Sequence, residues 1–283
     1  MGKIEQETRF IMKKYNISAN KSLGQNFLID DNVVEGIVNS AEVSKDDLVI
    51  EIGPGLGTLT ACLLERAGKV VAIELDTRMI KILEDRFKLY KNFEIINQDV
   101  LKIDLRSLIK QQKENEGIKN VKVVANLPYY ITTPIIMKLL EDKLDIESIT
   151  VMVQKEVAKR LTAEPSDKLA GAITYSVKYY CDATEEIDVP KDCFLPSPEV
   201  DSEVIKLVLR KEPLVNVKDE VIFFKLIKTS FMQRRKTFIN GVSNGGITSK
   251  EKIKEILDDL GIDVNKRGEN LTLEQFAQIA NLL

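Results

Sequence analysis

The sequence contains no histidine, and this absence excludes several kinds of catalytic site before any motif is considered. Ser-His-Asp triads, acid–base catalysis by imidazole and most zinc sites all need a histidine. The three cysteines, Cys62, Cys181 and Cys193, are scattered along the chain. That spacing favours neither a disulfide framework nor a metal site and is typical of a reducing compartment. We therefore expect a cytoplasmic protein without a bound metal.

Long hydrophobic runs are also absent. No apolar stretch reaches the ~18 residues of a membrane helix, and no apolar core of a secretory signal stands near the amino terminus. The composition, 44% hydrophobic and 30% charged, is typical of a globular protein. A chain of 283 residues can bury a large core, so we expect one or two domains and no membrane partner.

The net charge of −3 conceals two basic segments. Residues 8–29 contain cations and no acid, and so do residues 221–250. The cations are Arg9, Lys13, Lys14 and Lys21 in the first segment, and Lys225, Lys228, Arg234, Arg235, Lys236 and Lys250 in the second. Local clusters of this kind can bind phosphates. On composition alone, however, two solvated basic faces are the simpler interpretation.

Short apolar runs alternate with amphipathic stretches from about residue 47 to residue 154. The runs are DLVIEIG, KVVAIELD, FEIINQD, VKVVANL and SITVMVQ. This alternation predicts βαβ units, and hence an α/β fold with a parallel sheet covered on both faces. TEEIDV and SEVIKLVLR are predicted as late strands, and the alternation in the latter suits an edge or antiparallel strand.

The pattern becomes helical after Arg210. Helices are predicted over Val221–Phe238, Ser249–Leu260 and Leu273–Leu283. An earlier helix is predicted from Leu169, Ile173, Val177 and Tyr180, and capping boxes from Thr248 with Glu251 and from Thr272 with Gln275. We expect an α/β domain over residues 1–211 and a small helical domain over residues 212–283.

A glycine-rich turn, EIGPGLGTLT at Glu51–Thr60, joins the first strand to a helix. Gly53, Gly55 and Gly57 let the backbone approach a ligand at the carboxyl end of the sheet. The turn lacks the third glycine of a dinucleotide fingerprint, because Thr58 stands there. By itself it is explained equally well as a structural tight turn.

Polar residues close the next three strands. Glu74 follows the turn by about 20 residues, where a carboxylate can bind ribose hydroxyls. Asp99 and Asn126 end the third and fourth strands. The alternative is that the two acids are helix caps. Ribose and adenine binding without a phosphate-binding lysine suggests a nucleoside cofactor such as S-adenosylmethionine.

Several motifs together resemble the ribosomal RNA adenine dimethyltransferase family. They are SLGQNFLID, EIGPGLGTLT, IELD, NLPYYITTP, FLPSPEVDS, QRRKT and KRGENLT, in this order along nearly the whole chain. The resemblance implies a Rossmann-like methyltransferase fold with seven strands, the last antiparallel to its neighbours. It also implies S-adenosylmethionine as the methyl donor, and two adjacent adenines near the 3′ end of small-subunit rRNA as the target.

The resemblance also implies roles for individual residues. Asn26 and Leu28 would close over the cofactor, and Gly53 would lie beneath its methionine part. Glu74 would bind the ribose, Asp99 the adenine amine, and Asn126 would border the reacting methyl. One departure is Tyr130, which stands where many relatives have Asn and could alter how the pocket holds its base.

The stretch Asn126-Leu127-Pro128-Tyr129 suits methylation of an exocyclic amine. The Asn126 side-chain carbonyl and the Leu127 backbone carbonyl can accept its two N–H groups and localise the nitrogen lone pair. Pro128 fixes the turn, and Tyr129 offers a face on which a base stacks, worth ~1–3 kcal/mol. Phe194 is expected to stack on the opposite face of a base taken out of its helix. The alternatives are an Asx turn with a core tyrosine, and a core position for Phe194.

We therefore predict a monomeric enzyme that dimethylates two adjacent adenines in the terminal hairpin of small-subunit rRNA, on an immature small ribosomal subunit. Arg234, Arg235 and Lys236 are predicted to bind RNA. Two alternatives within the class are a large-subunit rRNA methyltransferase of the macrolide-resistance type and a DNA adenine methyltransferase. A third is a ribosome-assembly factor whose binding role dominates. The QRRKT and KRGENLT motifs argue against the first two.

Overall fold

The structure is a computed structural model that describes residues 2–20, 23–114, 117–232 and 235–283. Contacts between Cα atoms divide the chain into two compact units. The first comprises Met1–Ala158 and Thr184–Leu209, and the second comprises Lys159–Ala183 and Arg210–Leu283. The predicted boundary at residue 211 lies next to the end of the first unit, but the prediction did not include Lys159–Ala183 in the second.

Nine strands form one large sheet and one small ribbon in the described part of the chain. They are β1 (Phe27–Leu28), β2 (Asp47–Ile52), β3 (Lys69–Glu74), β4 (Phe93–Asn97), β5 (Asn120–Asn126), β6 (Ser148–Gln154), β7 (Cys181–Val189), β8 (Phe194–Leu195) and β9 (Ser202–Leu209).

The large sheet has seven strands in the order β4-β3-β2-β5-β6-β9-β7. The pairings from β4 to β6 are parallel, and β9 runs antiparallel to β6. This confirms the predicted seven-stranded, mostly parallel sheet. Every residue of the interior strand β2 is buried, as expected of a parallel strand covered on both faces.

Twelve α-helices lie within the described residues. They are α1 (Lys3–Lys14), α2 (Asp31–Ser40), α3 (Thr58–Arg66), α4 (Thr77–Phe87), α5 (Leu105–Lys113), α6 (Thr132–Glu141), α7 (Lys155–Thr162), α8 (Ala172–Tyr180), α9 (Glu220–Met232), α10 (Phe238–Asn244), α11 (Lys250–Asp259) and α12 (Leu273–Leu282). No helix among them is both long and apolar enough to cross a membrane.

The second unit has its own core, built largely from aromatic rings. Tyr175 of α8 meets Phe276 of α12 edge to face, with centroids 5.2 Å apart, and Tyr179 lies 5.2 Å from Phe223 of α9. Such pairs contribute about 0.5–1.5 kcal/mol beyond their burial. The aromatic residues of α8 therefore explain why Lys159–Ala183 belongs with the C-terminal helices.

Three local predictions in the second unit are wrong in detail. The helix predicted over Val221–Phe238 is two helices, because the Phe238 N–H donates to the Lys266 carbonyl at 2.8 Å and not to the preceding turn. Ser249 caps α11 in place of Thr248, since its hydroxyl accepts from the Lys252 N–H. Leu169 lies before α8 and is exposed. The capping box of Thr272 with Gln275 is confirmed.

Candidate active site

A cavity of about 1080 Å³, including its open mouth, lies at the carboxyl ends of the parallel strands of the first unit. Parallel strands of an α/β sheet all deliver their last residues to this edge, where ligands bind. Five segments supply most of the wall, namely residues 23–28, 51–56, 73–75, 98–100 and 126–131. Every predicted cofactor-binding residue lines this cavity.

The glycine turn after β2 forms the floor between two strands. Gly53 and Gly55 have φ of +66° and +58°, in the left-handed region that glycine adopts without strain. The Gly53 N–H donates to the Ile73 carbonyl at 2.9 Å, which fixes the turn against the end of β3. The backbone can therefore approach a ligand closely at Gly53 and Gly55. Gly57, the third predicted glycine, does not line the cavity and packs instead against Leu83 and Phe87.

Glu74 ends β3 and is buried, with 7% of its surface exposed. Its carboxylate accepts the N–H groups of Leu75 and Asp76, both at 2.8 Å, and that of Gly55 at 3.2 Å. Burial nevertheless raises the pKa of Glu74 above its ordinary value. The side chain does not cap α4, because the Asp76 carboxylate binds the Arg78 N–H there. Glu74 thus joins the glycine turn to the end of β3 at the cavity wall.

Asp99 lies in the turn after β4, where its Oδ1 accepts the Leu101 N–H at 3.0 Å. Lys102 lies 3.7 Å from its other oxygen. Asp104, not Asp99, caps the following helix α5. The Asp99 carboxylate is therefore held by its own turn at the cavity edge, partly exposed to solvent.

The turn after β5 presents two carbonyl groups. The Asn126 amide donates from Nδ2 to the Asn26 carbonyl at 3.2 Å, which leaves its Oδ1 as an acceptor. The Leu127 N–H is bound to the Met152 carbonyl at 3.2 Å. Within the part of the chain that the structure describes, no donor binds Asn126 Oδ1 or the Leu127 carbonyl. Pro128, with φ of −60°, continues the turn.

Two tyrosines follow Pro128 and differ in exposure. The Tyr129 hydroxyl lies 2.6 Å from the Ser202 hydroxyl, and burial raises its pKa. That contact fixes the ring of Tyr129 at the cavity. Tyr130 is 55% exposed and packs against Gly24. The unusual residue of the motif therefore lies at the exposed edge of the cavity.

The segment before α2 covers one side of the cavity. Asn26 donates from Nδ2 to the Gly24 carbonyl at 3.3 Å, and Gln25 donates to Asp76 at 2.9 Å. Leu28 is buried and pairs with Phe194 in the ribbon of β1 and β8. The Gln25–Asp76 bond and the bond that the Asn26 carbonyl accepts from Asn126 attach the covering segment to the ends of β3 and β5.

Phe194 occupies a different place from the other predicted residues. It is 3% exposed, packs in the hydrophobic core and does not line the cavity. Its strand partner Leu28 does line it. The structure therefore places Phe194 one residue behind the wall, in the core position that the sequence left as an alternative.

Glu51 is a cavity residue to which the sequence motif gave no role. It is 1% exposed, and its Oε2 has no hydrogen-bond partner among the described residues. Burial, with the nearby Glu74 carboxylate, raises its pKa to about 8. A buried polar atom without a partner is costly, so a ligand donor or acceptor is expected here. The signal in the sequence is a glutamate within the otherwise apolar run DLVIEI.

These features fit a nucleoside-containing cofactor. The carboxyl groups of Glu74 and Asp99 lie beside a turn whose glycines allow a ligand to approach the backbone closely. Glu51 adds a buried Oε2 atom that has no hydrogen-bond partner among the described residues. Among the described residues, no three His, Cys, Asp or Glu side chains are placed to hold a metal ion. The fold and this site define a Rossmann-like methyltransferase.

Comparison with known proteins gives the family. A family model described as "Ribosomal RNA adenine dimethylase" matches residues 16–283. A protein of Geobacillus sp. strain WCH70 named "Ribosomal RNA small subunit methyltransferase A" is 50% identical over 279 residues, covering 98% of this chain and 95% of that one. A protein of the same name from Bacillus licheniformis is also 50% identical over 279 residues, with the same coverage.

Solved structures agree with this result. A dimethyladenosine transferase from Plasmodium falciparum has a TM-score of 0.74 at 26% identity and covers 89% of this chain and 95% of its own. The 23S rRNA methyltransferase ErmE has a TM-score of 0.68 at 25% identity, with 91% and 99% covered. The chain belongs to the ribosomal RNA adenine dimethylase family. This membership confirms the predicted enzyme class and its cofactor, S-adenosylmethionine.

Proposed function

We propose that this enzyme adds two methyl groups to N6 of each of two adjacent adenines in the 3′-terminal hairpin of small-subunit rRNA. The proposed substrate is an immature small ribosomal subunit, which places the reaction in the cytoplasm, and the proposed active form is a monomer. Support for the small subunit comes from relatives with that name at 50% identity, against 25% for the 23S enzyme.

The observation that carries the proposed chemistry is the pair of open acceptors after β5. Asn126 Oδ1 and the Leu127 carbonyl lie in one turn at the cavity and have no donor among the described residues. An adenine amine offers two N–H groups, and accepting both concentrates its lone pair on nitrogen. Bound S-adenosylmethionine supplies an electrophilic methyl group. Placement of the amine then does the work of catalysis, without a strong base.

Stacking on the neighbouring aromatic residues completes the proposed base pocket. Tyr129, held by Ser202, presents a ring beside the two acceptors, and such stacking contributes ~1–3 kcal/mol per base. A stacking role for Phe194 remains a proposal that requires this buried ring to turn out from behind Leu28. The adenine itself has to leave its helical stack.

The glycine turn and the strand ends are proposed to hold the cofactor. In this assignment Glu74 binds the ribose hydroxyls, Asp99 the adenine amine, and Gly53 and Gly55 admit the methionine part. Asn26 and Leu28 close over it. The second unit is proposed to bind RNA through Arg235 and Lys236, which are exposed, together with Arg234, which lies outside the described residues.

Mass spectrometry tests the target. Immature small subunits are incubated with enzyme and S-adenosylmethionine, and the 3′ end of the rRNA is then analysed. A gain of four methyl groups on two adjacent adenines is expected, two on each. Primer extension on both rRNAs separates the alternatives, because a stop in large-subunit rRNA alone would assign the macrolide-resistance type. An assembly defect in a deletion strain that a catalytically dead variant corrects would favour the assembly-factor alternative.

A further inference from the structure

The outer side of the glycine turn is held by one face of α4. A Cβ atom at Gly57 would lie 2.6 Å from Phe87 Cε2 and 2.7 Å from Leu83 Cδ2, so helix and turn are in close contact. Beside them the Arg86 guanidinium donates from Nη1 to the Leu56 carbonyl. Leu56 is part of the cavity wall. Arg86 therefore binds the back of the turn whose front faces the cofactor.

The other arm of the same guanidinium reaches the N-terminal helix. Arg86 Nη2 lies 2.5 Å from Glu7 Oε1 of α1. The Arg86 side chain is 13% exposed and lies over the Phe87 ring, 5.0 Å from its centroid. A charge held this deeply is stabilised by both acceptors, and the loss of either leaves its donors unpaired. One side chain thus joins α1 directly to the glycine turn.

Helix α1 precedes the segment that covers the cavity. Six residues after α1 ends at Lys14, the Asn20 carbonyl accepts the N–H groups of Leu23 and Gln25, which ties the chain that leaves α1 to residues 23–28. A second ion pair, Lys14 with Asp85 at 3.1 Å, also joins α1 to α4. Lys14 and Asp85 are both about half exposed and make no contact with the glycine turn. The Lys14–Asp85 pair therefore attaches α1 to α4 only, whereas the Arg86–Glu7 pair attaches α1 to a side chain that also binds the glycine turn.

We propose that Arg86 is a positioning residue that couples the packing of α1 to the binding of the cofactor. Coupling of this kind is reciprocal: if the packing of α1 strengthens cofactor binding, cofactor binding stabilises α1 by the same free energy. The inference rests on the cofactor assignment above. Wild-type binding of S-adenosylhomocysteine, measured first, tests that assignment separately.

Three variants test the coupling by calorimetry with S-adenosylhomocysteine. Arg86→Met keeps the apolar stem and removes both contacts, and we expect about tenfold weaker binding, or ~1.4 kcal/mol. Glu7→Gln loses the ion pair alone and is expected to weaken binding about threefold. Lys14→Met is the matched control, since it removes the other α1–α4 ion pair, and its affinity should stay within about twofold of wild type. Arg86→Lys should recover part of the loss.

Hydrogen exchange of the α1 amides supplies a readout that a purely structural role would not move. In the wild type and in Lys14→Met, S-adenosylhomocysteine should slow this exchange, whereas in Arg86→Met it should not. Equal affinity losses in Arg86→Met and Lys14→Met, or ligand protection of α1 that survives in Arg86→Met, would overturn the proposal. If Arg86→Met does not fold, the comparison of Glu7→Gln with Lys14→Met decides: equal affinities reject the coupling.

Discussion

Ionisable side chains serve different purposes in the cavity of the first unit and on the basic segment of the second. The carboxyl groups of Glu51 and Glu74 are almost fully buried, and Glu74 is bound by three backbone N–H groups. The exposed cations on α9 and directly after it include Lys225, Lys228, Arg235 and Lys236. Within the described ranges, none of these four forms an ion pair.

The difference indicates which step each region controls. Buried groups with fixed partners hold one geometry, which suits a cofactor and a reacting atom. Exposed cations remain free to change rotamer, and each holds counterions that a bound phosphate displaces. Their contribution to affinity therefore depends on salt concentration. Substitutions in the cavity should therefore change the chemistry or the cofactor affinity, and substitutions in the basic segment should change only RNA binding.

Asn126→Ala should cause the largest loss. It removes an acceptor that is proposed to act on the target amine, so turnover on small subunits should fall at least 100-fold, or ~2.7 kcal/mol of transition-state stabilisation. Single-turnover methylation measures this. Affinity for S-adenosylhomocysteine should stay within a few fold of wild type.

A loss of turnover below about tenfold in Asn126→Ala would contradict the acceptor role. Asn126→Asp sharpens the test, because a carboxylate keeps the acceptor oxygen but loses the Nδ2 donor to Asn26. We expect this variant to retain more activity than Asn126→Ala.

Replacement of Arg235 and Lys236 by Ala should weaken small-subunit binding about tenfold at moderate salt. Each lost phosphate contact should also flatten the plot of log affinity against log salt by about 0.7 to 0.9. The matched control replaces Lys252 and Lys254, two exposed cations of α11. Equal effects of both double variants would mean that only total charge matters. Extension to Arg234 should flatten the slope further.

Glu74→Ala should weaken S-adenosylhomocysteine binding about tenfold and also lower stability, because three N–H groups lose their acceptor. Glu74→Gln retains acceptor capacity and should lose less stability. Calorimetry and thermal unfolding on both variants separate the two effects. Unchanged cofactor affinity in Glu74→Ala would show that this residue has a purely structural role. Glu74 would then no longer support the contrast between a cofactor-binding cavity and an RNA-binding basic segment.

The strand ends could be predicted from the sequence because they are determined by residues that are adjacent in the chain. A continuous apolar run followed by a polar residue marks where a buried parallel strand reaches the ligand edge. Glu74 and Asn126 satisfy this pattern, whereas Asp99 lies two residues beyond the end of the partly buried edge strand β4. All three line one cavity. The turn glycines are equally local, since a positive φ at Gly53 depends on its own missing side chain.

The remaining parts depend on contacts between distant residues. Glu7 and Arg86 are 79 positions apart and belong to no motif, so no pattern predicts their ion pair. The exclusion of Phe194 from the cavity depends on its pairing with Leu28. No bounds were predicted for α5, whose buried residues Leu105, Ile109 and Gln112 follow helical spacing but include a polar glutamine.

The smallest effect concerns Glu51 and the pH dependence of stability. Its pKa is raised by burial from an ordinary 4.5 to about 8 in the folded protein. Between these values the folded protein holds a proton that the unfolded chain has released, so this group makes stability fall as pH rises through the window.

Glu51→Gln removes this titration while keeping the shape of the side chain. The fall in melting temperature from about pH 5 to about pH 8 should therefore become shallower by a few degrees. Glu42→Gln is the control: the hydrogen bond from Lys206 lowers the pKa of Glu42, so its titration lies below the window and the slope should not change. An identical slope in Glu51→Gln and wild type would show that the carboxyl is already ionised. In that case Glu51 would be ionised at neutral pH despite its burial, as the exposed cations of the basic segment are.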